Sequence, residues 1–131
     1  MSYATQVASY REMEILSASP ERLVVLLFDH LAIHLQRVRI AIDNNDVNLR
    51  TLSLGKARGI VSELLATLNF EKGGKIARDL GSLYTFLLAE MSEIGVHRDA
   101  RKVDRLMQIA ETLRAGFAGA ATMAVPAKRP A

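Results

Sequence analysis

The sequence contains no cysteine and no tryptophan. Without a thiol there is no disulfide staple, no thiolate zinc site and no cysteine nucleophile. Proline and glycine are scarce, three and eight among 131 residues, so long uninterrupted elements are possible. With only four Phe and three Tyr, the chain lacks the β-branched and aromatic material from which sandwich strands are built. The opening MSYATQVASYREMEILSASP has neither the basic start nor the apolar run of a signal peptide, and no later stretch approaches the ~18 apolar residues of a membrane span. These absences predict a soluble, cytoplasmic protein with no stable membrane insertion. The formal charge of +3 is modest, and Lys and Arg do not gather on one face among stacking aromatics, so no nucleic-acid partner is expected.

What is present is aliphatic. Half of the residues are hydrophobic, mostly Leu, Ala, Ile and Val, enough to close one core in a chain of single-domain size. Residues 1–18 are weakly periodic, with Tyr3, Val7, Tyr10 and Met13 spaced for a short amphipathic helix. At Ser19-Pro20-Glu21 the signal sharpens: Ser19 suits an N-cap, Pro20 the first helical position, and Glu21 the positive end of the helix dipole. The stripe Val24, Leu27, Phe28, Leu31, Leu35, Val38 and Ile42 then predicts one long helix ending at Asp43-Asn44-Asn45.

Asp46 is a suitable cap for a second helix with Leu49, Ser53, Ala57, Ile60, Val61, Leu64 and Leu68 on one face. Small residues at Ser53, Ala57 and Gly59 would let a neighbour come close there. The run 69–74, closed by Gly73-Gly74, reads as a turn. From Lys75 a third helix carries Ile76, Leu80, Leu83, Leu87, Met91 and Ile94, widened by Tyr84 and Leu88, with Gly95 as its stop. Near Asp99 a fourth opens, with Val103, Leu106, Met107, Ala110, Leu113 and Phe117 in register, weakening at Gly116 and Gly119. The expectation is an all-α antiparallel up-down four-helix bundle over residues 19–119, preceded by an N-terminal helical or extended cap segment (1–18) and followed by a disordered tail (120–131).

Two constellations invite a chemical reading. His30 and His34 stand four apart, the spacing at which two imidazoles share a metal, but the Glu-x-x-His pairs of a bundle di-iron site are missing. Glu90, Glu93, His97 and Asp99 crowd a helix end beside Arg98 and Arg101, the composition of a solvated charged surface. No phosphate loop or nucleophile elbow is present. The residues therefore predict a binding protein with no catalytic residue, no metal and no cofactor. The first helix also carries Leu23, Leu26, Ile33 and Ile40 outside its stripe, and such surplus must be covered by the chain itself or by a partner.

The run Ser19-Pro20-Glu21-Arg22-Leu23-Val24-Val25-Leu26-Leu27-Phe28-Asp29 resembles the Ser-Pro-x-x-Leu … Leu-(Phe/Tyr)-Asp signature that opens the first long helix of the FliS family of flagellar secretion chaperones. The segment with Tyr3 and Tyr10, ARGIVSELLATL at 57–68, the Gly73-Gly74 pair and LGSLY at 80–84 follow in the family's order. The resemblance implies a cytosolic chaperone that binds the C-terminal segment of flagellin, prevents its premature polymerisation and presents it to the flagellar export gate. It also implies that Tyr3 and Tyr10 belong to a movable N-terminal cap. Periodicity and family together nominate Leu23, Leu26, Ile33, Leu83, Tyr84 and Leu87 as groove residues. A helical adaptor or regulator of another amphipathic partner is the alternative that the residues leave open.

Overall fold

The structure, a computed structural model, describes residues 20–127, with side chains as far as Ala120. Tyr3, Tyr10 and Ser19 lie outside the described residues. Four helices follow one another: α1 Pro20–Asp43, α2 Val47–Ala66, α3 Phe70–His97 and α4 Ala100–Ala127. Asp46 caps α2, its carboxylate accepting from the Leu49 N–H at 3.0 Å, as the sequence predicts. Asp99 does the same for α4, accepting from the backbone of Arg101 at 3.0 Å. Each cap satisfies an N–H that the first helical turn leaves without a partner.

Neighbours run antiparallel, as cross-helix pairs show. Arg39 near the end of α1 meets Asp104 near the start of α4 at 2.9 Å, while Asp29 meets Arg114 further along α4. Arg58 of α2 donates to Ser92 of α3 at 2.7 Å, and Leu54, one turn back, lies beside Gly95, one turn on. The closest packing joins α1 to α2 and to α4; α3 rests on α2 and only lightly on α4.

Phe28, Leu31, Leu35 and Val38 of α1, Ala57, Val61 and Leu64 of α2, Leu87, Met91 and Ile94 of α3, and Val103, Leu106 and Ala110 of α4 form one connected core. At one end of it Phe28 packs between Tyr84 and Phe117, with ring centroids 6.4 and 5.7 Å away. Burial of each such aliphatic side chain stabilises the fold by roughly 1.5–3 kcal/mol. Two small residues of α2, Ser53 and Ala57, are buried as expected. Gly59 is not: it faces outward with nothing near its missing Cβ, because it lies about 200° around the helix from Ala57.

The region read as a turn is mostly helix. Asn69 caps a first turn beginning at Phe70, and the chain then breaks at Gly74 (φ 53°, ψ −126°) before α3 resumes. That backbone region is closed to residues with a Cβ. A Cβ on Gly73 would come within 2.7 Å of Ala77 Cβ, so the two glycines serve different needs. Ile76, expected in the core, is 71% exposed. The buried face of α3 is set by Ala77, Tyr84 and Met91 at seven-residue spacing, and Ile76 falls about 100° from Ala77. Nor does α3 stop at Gly95; it continues to His97 and closes on Arg98 in a left-handed conformation (φ 55°). Helix α4 likewise runs past Gly119 to Ala127.

Candidate partner-binding surface

Helix α3 is bordered by recesses because its neighbours do not close on it. On the α4 side a cavity of ≈ 550 Å³ lies between Leu83 and the stripe Arg105, Gln108, Ile109, Thr112 and Leu113. Those α4 positions repeat at 3–4 spacing beside the core stripe of Val103, Leu106 and Ala110, so the helix carries a second, partly apolar face. On the α2 side a cavity of ≈ 560 Å³ is lined by Leu65, Phe70, Arg78, Gly81, Ser82 and Thr85. Its shape depends on the break at Gly74, which turns Phe70 back along α3. The ring then sits over Gly81, where an added Cβ would be 3.3 Å from Phe70 Cε1.

The third recess, ≈ 330 Å³, opens between the α2–α3 connection and the first turns of α3. Val24, Leu80, Tyr84 and Phe117 line its apolar part, and Lys72 and Ile76 stand among its remaining residues. Tyr84 is buried, and burial pushes its phenol up to about 12, so the ring presents a neutral hydroxyl at any physiological pH. Exposed Phe86 extends the apolar surface of α3 beyond the cavities.

The groove residues named from the sequence separate in space. Leu83 lines the α3–α4 recess and Tyr84 the recess at the α2–α3 connection. Leu87 is 1% exposed, a member of the core. On α1, Ile33 is 46% exposed and Leu23 partly so, whereas Leu26 is buried. Helix α1 packs along α2 and α4, so its Leu23, Leu26 and Ile33 do not share one recess with the α3 residues. Sequence reasoning passed over Phe70, Arg105, Ile109 and Phe86. The 105-108-109-112-113 repeat was available as a signal, but the expected core stripe of α4 claimed Leu113 and left Ile109 without a partner on its face.

The two chemical constellations resolve into surface and packing roles. Glu93 pairs with His97 at 3.3 Å and Glu90 with Lys102 at 3.3 Å, while Asp99 is occupied as a cap. His34 Nδ1 is buried without a hydrogen-bond partner among the described residues; burial, then the charges of Arg37, Lys56 and His30, hold its pKa below the usual histidine value. Among the described residues no three His, Asp or Glu converge on a metal position. No described helix is long and apolar enough to cross a membrane.

The sequence model of the family described as "Flagellar protein FliS" matches residues 3–124. Among curated proteins, the flagellar secretion chaperone FliS of Salmonella typhimurium is 33% identical, over 72% of this chain and 71% of that protein. The flagellar secretion chaperone FliSB of Pseudomonas aeruginosa is 28% identical over 82% and 86%, and the Campylobacter jejuni FliS 27% identical over 72% and 74%.

Proposed function

The chain belongs to the FliS family of flagellar secretion chaperones, and from that premise we propose that it binds the C-terminal segment of flagellin in the cytoplasm. Bound there, flagellin is kept from polymerising and is delivered to the flagellar export gate. The observation that supports this reading is the pair of recesses on either side of α3, each mixing apolar with polar lining residues, which offer open surface to an amphipathic segment. A segment disordered in isolation loses entropy as it folds, and burial of its apolar face along the bundle offsets that loss. No bond is made or broken, so the chain acts by binding alone.

Within this reading Leu83 contacts flagellin directly, and Tyr84 does so at the floor of its recess. Leu87 supports the surface from beneath. Leu23 and Ile33 form a separate contact on the outer side of α1, and the buried Leu26 supports that helix from within. Residues 1–18, with Tyr3 and Tyr10, act as a cap that yields when flagellin arrives, and residues 19–119 form the bundle.

Titration of the full chain with a synthetic C-terminal flagellin segment, followed by calorimetry and circular dichroism, tests the reading. Saturable binding with a gain in helical signal beyond the sum of the components is expected. Absence of binding would withdraw it.

A further inference from the structure

The three recesses share a chemical asymmetry. Each contains a cation, Lys72 at the α2–α3 connection, Arg78 on the α2 side and Arg105 on the α4 side. None contains a carboxylate among its lining residues. Among the described residues these three cations have no ion-pair partner, and all three are exposed. The nearby acids are otherwise engaged: Asp79 with Lys75 at 2.8 Å, Glu90 with Lys102, Glu93 with His97, and Asp104 with Arg39. Glu63 and Glu71 are exposed and line none of the recesses. Asp79, Glu90 and Asp104 are thus paired with other cations, Glu63 and Glu71 stand outside the recesses, and Lys72, Arg78 and Arg105 are left among the recess linings.

We propose that the recesses flanking α3 select a partner helix whose apolar face is edged by carboxylates, the apolar side chains filling the cavities while Asp or Glu meets Arg78 on one flank and Arg105 on the other. This rests on the reading of the chain as an export chaperone and assigns the chemistry of the segment it accepts. A charge at the edge of a cavity that loses its water on binding interacts more strongly than the same charge on open surface, because the effective dielectric constant is lower. Two arginines on opposite sides of α3 also fix orientation: a helix with carboxylates on both edges sits in register, and one edged by lysines is repelled at both. Lys72 extends the same preference towards the start of α3.

The test compares the full chain with Arg78→Glu/Arg105→Glu, with the neutral pair Arg78→Gln/Arg105→Gln, and with Arg50→Glu/Lys56→Glu. The last pair makes the same change in net charge away from the recesses. Each is titrated with the C-terminal flagellin segment at ~0.05 M and ~0.5 M salt, a range over which the screening length falls from above 10 Å to under 5 Å. Thermal unfolding by circular dichroism checks that every chain is folded. At low salt the reversed recess pair is expected to bind about tenfold more weakly and the neutral pair about threefold more weakly, with the α2 pair close to wild type. Most of these differences disappear at high salt. Equal affinity of the wild-type and both recess variants at low salt would overturn the proposal, as would an equal loss in the α2 pair, and either result leaves the chaperone reading intact. Failure of the wild-type chain to bind the segment removes that reading and the proposal with it.

Discussion

Helices α1 and α3 begin from similar material and end in opposite circumstances. Both are long, amphipathic and richer in apolar residues than one core stripe requires. Helix α1 is held along its length by α2 and α4 and tied to α4 at two points by ion pairs, Arg39 with Asp104 and Asp29 with Arg114. Helix α3 has one firm neighbour and a loose one, and cavities open on both sides of it. Surplus apolar character thus has no fixed consequence: neighbouring helices absorb much of it on α1, and on α3 it becomes accessible surface.

The contrast can be broken first at α1. Leu31→Ala removes a fully buried side chain from the best-packed helix and should lower unfolding free energy by roughly 2–5 kcal/mol in urea titration. Affinity per folded molecule should not change, because Leu31 lines no recess. Next in size is Gly74→Ala, which forces a Cβ into a conformation that only glycine adopts freely and should cost about 1–3 kcal/mol. This variant should also lose affinity for the C-terminal flagellin segment in calorimetry, since the break positions Phe70 over Gly81.

Leu83→Asp sharpens the comparison from the other side. It places a charge in the α3–α4 recess at a partly exposed position, so unfolding free energy should change by less than ~1 kcal/mol while flagellin affinity falls about tenfold. Asp29→Asn tests the tie between α1 and α4; with both partners about one-third exposed, a loss below ~1 kcal/mol is expected, measurable as a small shift in urea midpoint.

The smallest expected effect is a pH dependence at His34. Its folded pKa is lowered, so the unfolded chain binds the extra proton first. The stability from keeping this imidazole neutral is fully present above its unfolded pKa of about 6.5 and declines as pH falls from there towards the folded value. Urea midpoints at pH 7.5 and 5.5 should differ less in His34→Gln than in the wild-type chain.

The sequence carried the bundle because several local signals agreed. Pro20 opens α1 and Asp46 caps α2, and the centres of both expected stripes are buried, Phe28, Leu31, Leu35 and Val38 on α1 and Ser53, Ala57, Val61 and Leu64 on α2, while Val25, Leu26, Ala41 and Leu54 are buried outside them. It misled where residue type and position disagree. Ile76 is apolar and exposed, Ala77 and Gly81 are small and buried, and no count of hydrophobicity prefers the latter two for the core. Asn69 to Gly74 combined a cap, a helical turn and a break within six residues, and the glycines hid the turn. The surface was legible only in part. Leu83, a member of the expected α3 stripe, and Tyr84, which widens it, are nominated by periodicity together with the family resemblance. The cavity opposite Leu83 depends on how far α4 stands away, a distance set by tertiary packing rather than by any one residue.

The break at Gly74 also isolates the phase of α3 from what precedes it. In an unbroken helix, each residue inserted or removed rotates everything beyond it by about 100°, and a single change near Phe70 would swing Tyr84, Met91 and Ile94 out of the core. Because helical geometry restarts at Gly74, the inward direction of those residues is set from that point onward. Residues between Thr67 and Gly73 line two of the recesses, so part of the shape of that surface is set on one side of the break and the alignment of the core on the other.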